Sequence, residues 1–323
     1  MNRCVSSSKL GSFVLHVSVS ASMESIRKWV QSISFFLTNG YWGFLFSGTI
    51  YQGPLKVLCS PGLNCYSCPA ATTFCPIGSL QQLLLGLRLT LPAGQFYLGA
   101  YVVGCMGMLG ALCGRMICGW VCPFGFFQEL LHKIPTRKFA VAAWLRWGKY
   151  LFLLLFVIVL PLTVLDSFSM GKPWFCQFIC PVGTLQAGIP LVLMQPDIRN
   201  AVGILYVHKL TILFLFIVWS VYSYRPFCRT TCPLGAFYGL FNGVSLIRLK
   251  FNKDNCTKCG ACHAICPVDI RFNETPNSRE CIGCLQCSTK ACQFNAISLE
   301  IGGYVLNSTP PPSNKPVQQT HSP

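Results

Sequence analysis

Four long apolar stretches, roughly Ile33 to Tyr51, Phe96 to Cys113, Trp147 to Leu165 and Leu205 to Tyr224, alternate with more polar connections. Each is near the ~20 residues that a helix needs to cross a bilayer core. Four spans put both chain ends on one side. The pattern then changes: Asn252 to Ile301 is polar enough for a small soluble unit, and Gly302 to Pro323, with Pro310, Pro311 and Pro312, reads as a disordered tail. Residues before Met23 are Ser-rich and match nothing downstream, so 1–22 is expected to be a disordered segment or an over-extended start, with a weak signal peptide as the alternative. The expected organisation is 1–22, a four-span membrane domain over 23–250, a soluble domain over 251–301 and a tail over 302–323.

Composition agrees with that division. Apolar residues make up 52% of the chain and charged residues 11%, with a mean hydropathy of +0.51. These values lie outside the range of ordinary soluble domains. The fold class is an α-helical membrane protein. The formal net charge of +16 encodes orientation in such a protein rather than nucleic-acid binding. Arg27 and Lys28, then Arg115, Lys133, Arg137, Lys138, Arg146 and Lys149, then Arg225, Arg229, Arg248, Lys250 and Lys253 mark one face. By the positive-inside rule that face is cytoplasmic, giving a multi-pass protein of the cytoplasmic membrane with both termini and the 251–301 unit inside.

Twenty-one cysteines add the chemistry. In the C-terminal unit Cys256, Cys259, Cys262 and Cys266-Pro267 are followed by Cys281, Cys284, Cys287 and Cys292. This is two-cluster ferredoxin spacing, in which three close cysteines of one motif take their fourth partner from the other. It predicts a ferredoxin-like domain with two [4Fe–4S] clusters, one on Cys256, Cys259, Cys262 and Cys292, the other on Cys281, Cys284, Cys287 and Cys266. The second motif departs from the pattern, with four residues between Cys287 and Cys292 and Gln293 in place of Pro, which predicts a looser loop. A zinc ribbon and a c-type haem at Cys259 to His263 are the competing readings, and the complete eight-cysteine spacing disfavours both. A unit of about 50 residues is too small to rely on hydrophobic burial, so clusters should supply much of its stability.

The membrane half carries a repeated phrase: Cys75-Pro-Ile-Gly-Ser-Leu-Gln, Cys122-Pro-Phe-Gly-Phe-Phe-Gln, Cys180-Pro-Val-Gly-Thr-Leu-Gln and Cys232-Pro-Leu-Gly-Ala-Phe-Tyr. Three copies have a second cysteine four residues upstream, Cys118, Cys176 and Cys228, which puts two sulfurs on one face of a turn. The copies alternate between membrane faces, as an inverted duplication of a two-span unit would place them. Pro suits the first turn of a short helix, which leaves the preceding Cys at a helix N-terminus that favours a thiolate. Cys118, Cys122, Cys228 and Cys232 are expected to converge at the inner face as four thiolates for a soft metal or an Fe–S cluster. Cys176 and Cys180 form an outer pair, completed by Cys68 and Cys75. That makes one or two further clusters or metal sites. Cys105 and Cys113 read as small hydrophobes.

Spans carrying Cys-x3-Cys-Pro at Cys118 to Pro123 and Cys228 to Pro233, followed by the ferredoxin run Cys256 to Cys292, resemble the membrane polyferredoxins related to NapH, NosR and CcoG. The resemblance covers about Met23 to Ile301. It implies electron transfer between a cytoplasmic or quinone donor and a redox partner at or beyond the membrane: a ferredoxin, a flavoprotein or a cytochrome. NosR-like chains add a periplasmic flavin-binding domain and CcoG-like cupric reductases a further C-terminal domain; neither is found in this sequence, so a short NapH-like core is the nearest match. The rival expectations are a quinol dehydrogenase or cupric reductase using the membrane cysteine pairs, and an assembly or metal-delivery factor. Membrane lipid is a partner in every case, and nucleic acid in none.

Overall fold

The computed structural model describes residues 10–90, 97–164, 171–292 and 294–306, with side chains for 23–86, 99–164, 171–292 and 294–305. Within it two helices are long and apolar enough to cross a bilayer, Trp144–Thr163 and Ile204–Tyr222. Only 17% and 11% of their apolar windows are buried, so they are not the core helices of a soluble protein. They coincide with the third and fourth expected spans. The second expected span is a 17-residue apolar helix, Tyr97–Cys113, and a further apolar helix, Pro181–Met194, lies in a stretch expected to be a connection.

The first expected span is corrected. A helix runs from Leu10 to Thr38, beginning within the 1–22 segment, and stops there instead of continuing to Tyr51. Thr38 Oγ1 and Asn39 Nδ2 donate to the carbonyls of Ser34 and Phe35, capping the helix with side chains. Beyond it Gly40, Gly43, Gly48 and the Gly53-Pro54 step interrupt the backbone, and only the turns Phe44–Ser47 and Pro54–Val57 form. Hydropathy averaged over this stretch hides those breaks, because glycine and proline end helices without being polar.

Helix Trp144–Thr163 contains a π segment, Phe152–Val159, just before Pro161. Proline has no N–H to give to the preceding turn and its ring crowds that turn's carbonyl, so a widened turn is a local remedy. Gln81 Nε2 donates to the Phe156 carbonyl in this segment at 3.1 Å.

The C-terminal unit is built on a three-stranded antiparallel sheet, β1 (Ile247–Phe251), β2 (Ile297–Ile301) and β3 (Tyr304–Leu306). Ile247 pairs with Ile301 and Phe251 with Ile297, and β3 returns along β2 through the Gly302-Gly303 turn. The unit therefore extends past both expected boundaries, to Ile247 on one side and Leu306 on the other. Leu249, Phe272, Leu285 and Ile297 form its small core.

Buried charges dock this unit to the membrane half. Glu280 accepts from Arg115 Nη1 at 2.8 Å and also pairs with Lys149. Arg229 Nη2 reaches Asp269 at 3.0 Å and the Val268 carbonyl at 2.9 Å, and Lys290 pairs with Glu24 on the first helix. Arg115, Lys149, Arg225 and Arg229, all counted above as orientation charges, are almost completely buried. Burial by itself would raise the Glu280 carboxyl, but Arg115 and Lys149 outweigh it and hold it at about 2. A carboxyl lowered in the folded protein contributes stability above its ordinary value of 4.5 and loses it as pH falls towards about 2. Glu280→Gln leaves two buried cations short of a partner, a loss of about 3–5 kcal/mol. The expected outcome is faster proteolysis around residues 247–306 at neutral pH, with wild type approaching the variant's behaviour only in strong acid; equal protease resistance at neutral pH counts against the docking role.

Candidate functional site

The eight C-terminal cysteines fall into two groups. Cys256, Cys259, Cys262 and Cys292 line one cavity, beside Phe251 and Ala296. Cys266, Cys281, Cys284 and Cys287 line a second, walled by Val268, Ile270, Phe272 and Leu285, with Cys262 at the boundary between the two. The halves repeat one backbone design. Positive φ occurs at Lys258 and Gly283, at Gly260 and Leu285, and at Asp269 and Asn295, in matching places relative to the cysteines. Ile270 N–H donates to Cys266 Sγ at 3.4 Å and Ala296 N–H to Cys292 Sγ at 3.3 Å.

The extra residue in the second motif does not loosen it. Where the first half has the α turn Ala261–Ala264, the second has a π turn, Cys287–Ala291, and Cys292 N–H bonds to the Cys287 carbonyl at 3.0 Å. A π turn absorbs one residue while keeping its ends in register. Residue 293 lies outside the described residues. Burial pushes the Cys281 thiol up to about 12, with Cys284 and Cys266 adding to the rise and the Gly283 N–H opposing it. Thiols packed this way stay neutral until a metal's positive charge draws off their protons, so the donor set fits an iron–sulfur group.

In the membrane half Cys118, Cys122, Cys228 and Cys232 are all buried and lie within Coulombic reach of one another. This first quartet is the predicted inner set. In both motifs the Pro holds the preceding cysteine extended, at φ −68°, ψ 117° for Cys122 and φ −67°, ψ 113° for Cys232. A short helix then starts at that Pro. Gly235 N–H donates to Cys232 Sγ at 3.4 Å, and Gln128 Nε2 donates to Cys228 Sγ at 3.1 Å.

Arginines cross between the two motifs. Arg115, three residues before Cys118, donates to the Cys228 carbonyl at 2.7 Å. Arg225, three residues before Cys228, donates to the Cys118 carbonyl. The glycine of each Cys-Pro-x-Gly phrase makes room: a β carbon on Gly125 would stand 2.9 Å from Arg225 Nη1, and one on Gly235 would stand 3.0 Å from the Cys228 carbonyl. Arg225 also pairs with Glu129 at 2.8 Å, which Arg27 reaches at 2.7 Å. Sequence reading missed these arginines, although Arg-x2-Cys-x3-Cys-Pro-x-Gly occurs twice, at Arg115 and Arg225.

A second group forms from Cys65, Cys75, Cys176 and Cys180, again within Coulombic reach. Cys75, Cys176 and Cys180 belong to the expected outer set. Cys68 stands to one side, beside Cys65, with its sulfur 3.9 Å from Asn39 Oδ1. Cys105, expected to be a bystander, meets Cys59. Among the described residues every cysteine is a free thiol, and no three Cys, His, Asp or Glu side chains converge on a single-ion site.

Backbone contacts link these groups in a row. A β carbon on Gly119, next to Cys118, would lie 2.3 Å from the Ile282 carbonyl, between Cys281 and Cys284. Trp120 Nε1 donates to the Gly283 carbonyl at 2.9 Å, and Asn242 Nδ2 to the Cys281 carbonyl at 2.8 Å. At the far side of the quartet a β carbon on Gly62 would lie 2.6 Å from Cys122 Cα. Cys65 is only three residues further on, at most about 11 Å of chain.

Comparison with known proteins places the chain among iron–sulfur proteins. A family model described as a 4Fe-4S binding domain matches residues 73–92, 102–142, 149–192 and 209–254, and a second 4Fe-4S binding domain matches 249–272. The first covers Cys75, Cys118, Cys122, Cys176, Cys180, Cys228 and Cys232. An uncharacterised protein of Methanocaldococcus jannaschii is 33% identical over 201 residues, which are 59% of this chain and 74% of that one. The methylamine utilization ferredoxin-type protein MauN of Methylorubrum extorquens is 30% identical over 193 residues, 59% of each chain. The ferredoxin-type protein NapH of Haemophilus influenzae is 26% identical over 214 residues, 61% of this chain and 66% of NapH. No solved structure matches. With its ferredoxin cysteines, its repeated Cys-Pro phrases and these relatives, the chain belongs to the 4Fe-4S polyferredoxin family that includes NapH and MauN.

Proposed function

We propose that this iron–sulfur electron-transfer protein is a membrane conduit, taking electrons from a cytoplasmic or quinone donor and delivering them to a redox partner at or beyond the membrane. Bound [4Fe–4S] clusters supply the one-electron chemistry. In this reading Cys256, Cys259, Cys262 and Cys292 hold one cluster, Cys281, Cys284, Cys287 and Cys266 another, and Cys118, Cys122, Cys228 and Cys232 a third. One observation carries it: the Gly119 backbone packs directly on Ile282, between two ferredoxin cysteines and beside Cys118. Tunnelling fades steeply with distance, and a glycine lets two backbones approach more closely than any other residue does.

The surrounding residues support the same role. Arg115 lies within Coulombic reach of Cys118 and Cys228 and of Cys281, so one buried cation faces both cysteine groups. Buried positive charge and hydrogen bonds to sulfur favour the reduced, more negative state of a cluster. The docking pairs to Glu280 and Asp269 hold the ferredoxin unit against the membrane half, and the basic residues that remain exposed, Lys133, Arg137, Lys138, Lys250 and Lys253, support a cytoplasmic location for that unit.

Three measurements test the reading. Cys118→Ala with Cys232→Ala is expected to remove about four iron atoms per chain while sparing the ferredoxin EPR signals, and to stop electron transfer from an external reductant to an acceptor trapped in vesicles. Undiminished transfer sinks the conduit. Gly119→Val keeps the iron content but forces Ile282 away, so transfer slows; an unchanged rate means that this contact is not on the route. A reporter fused after Leu191 is expected outside the cytoplasm, and a cytoplasmic signal overturns the proposed orientation.

A further inference from the structure

The second group of cysteines is built on the same Cys-Pro phrase as the first. Cys75 and Cys180 each precede a Pro at the start of a helix, Pro76–Thr90 and Pro181–Gly183. Each is followed three residues on by a glycine, Gly78 and Gly183, the place from which Gly235 N–H donates to Cys232 Sγ. These are the two Cys-Pro cysteines of a pair. Their glutamines, six residues on, then cross to the opposite side.

Gln81 Oε1 accepts from Cys176 N–H at 3.3 Å. Gln186 Oε1 accepts from Cys65 N–H at 2.8 Å. The two bonds are reciprocal, so Cys65 occupies the position opposite Cys75 and Gln186 that Cys176 occupies opposite Cys180 and Gln81. The spacing conceals this, because Cys65 lies ten residues before Cys75 rather than four. Cys65 Sγ stands 3.7 Å from the β-carbon position of Gly183, at the start of the Cys180 helix. Cys68 is turned towards Asn39.

Positive charge completes the likeness. Lys209 Nζ donates to the Cys176 carbonyl at 3.3 Å and lies 4.0 Å from the β-carbon position of Gly183. Lys56, buried and bonded to the Ala71 carbonyl at 2.9 Å, lies within Coulombic reach of Cys65 and Cys68. In the first quartet crossing arginines serve the same end.

From the reciprocal Gln81 and Gln186 bonds we infer that Cys65, Cys75, Cys176 and Cys180 form a fourth [4Fe–4S] site, with Cys65 as its fourth ligand and Cys68 outside it. The inference extends the conduit reading and rests on the assignment of a cluster to the first quartet. Iron and acid-labile sulfide are measured in the purified full chain and in Cys65→Ala, Cys176→Ala, Cys68→Ala and Cys118→Ala variants. Cys65→Ala and Cys176→Ala are each expected to lose about four iron atoms per chain, with ferredoxin EPR signals intact as evidence of folding. Cys68→Ala is expected to keep the full count.

Loss of iron from Cys68→Ala, with or without a foldable Cys65→Ala, overturns the ligand assignment. If Cys118→Ala loses iron but Cys65→Ala and Cys176→Ala do not, the fourth site falls and the three-cluster reading stands. If Cys118→Ala keeps its iron as well, the conduit reading falls first.

Discussion

Two guanidinium groups buried inside an apolar protein are the constraint around which the molecule is organised. Arg115 and Arg225 each start on one cysteine motif and end on the other, donating to the carbonyls of Cys228 and Cys118. Stripping water from a charge is expensive, by several kcal/mol per ion even after relaxation, and is tolerated only with a counter-charge and filled hydrogen-bonding positions. Glu280 and Glu129 provide those counter-charges. Because Glu280 belongs to the ferredoxin unit, neutralising Arg115 and docking that unit are one event.

The repeated phrase makes sense position by position under that constraint. Proline holds the cysteine before it extended and opens a helix with no N–H to leave unpaired. Glycine at the third place after the cysteine is small enough to let a partner pass: Arg225 at Gly125 and the Cys228 carbonyl at Gly235. Its N–H also points to sulfur, as at Gly235. The glutamine at the sixth place crosses to the opposing cysteine, as Gln128 does to Cys228 and Gln186 to Cys65. Where the fourth copy has Tyr238, the hydroxyl crosses to the Pro61 carbonyl instead, at 3.1 Å. That bond helps seat the Pro61 to Cys65 strand of chain between the two quartets.

Much of this was legible in the residues because it depends on short spacing. The grouping of the ferredoxin cysteines, the two sulfurs that each Cys-x3-Cys-Pro phrase puts on one turn, and two apolar helices long enough to span all follow from local periodicity. Failures came where a local rule was averaged away or where partners are distant in sequence. Hydropathy ran through Asn39 and Gly40 as if the helix continued. The extra residue before Cys292 looked like slack, yet a π turn takes it up, since backbone hydrogen bonding has an alternative register one residue longer. Counting basic residues as loop charges overlooked that several are buried beneath the ferredoxin unit.

The amino-acid sequence by itself determined that the chain is apolar, helical and rich in cysteines at iron–sulfur spacing, because these are properties of composition and of neighbours within a turn or two. Only the tertiary structure decided which cysteine stands opposite which. The Cys-Pro pattern pointed to Cys68, and it is the Gln186 bond to the Cys65 amide, across 121 residues of chain, that singles out Cys65 instead. The same holds for the pairing of Arg115 with Glu280, 165 residues away. Buried charges and hydrogen-bonding groups must find partners wherever the fold brings them, and no rule of spacing along the chain encodes that choice.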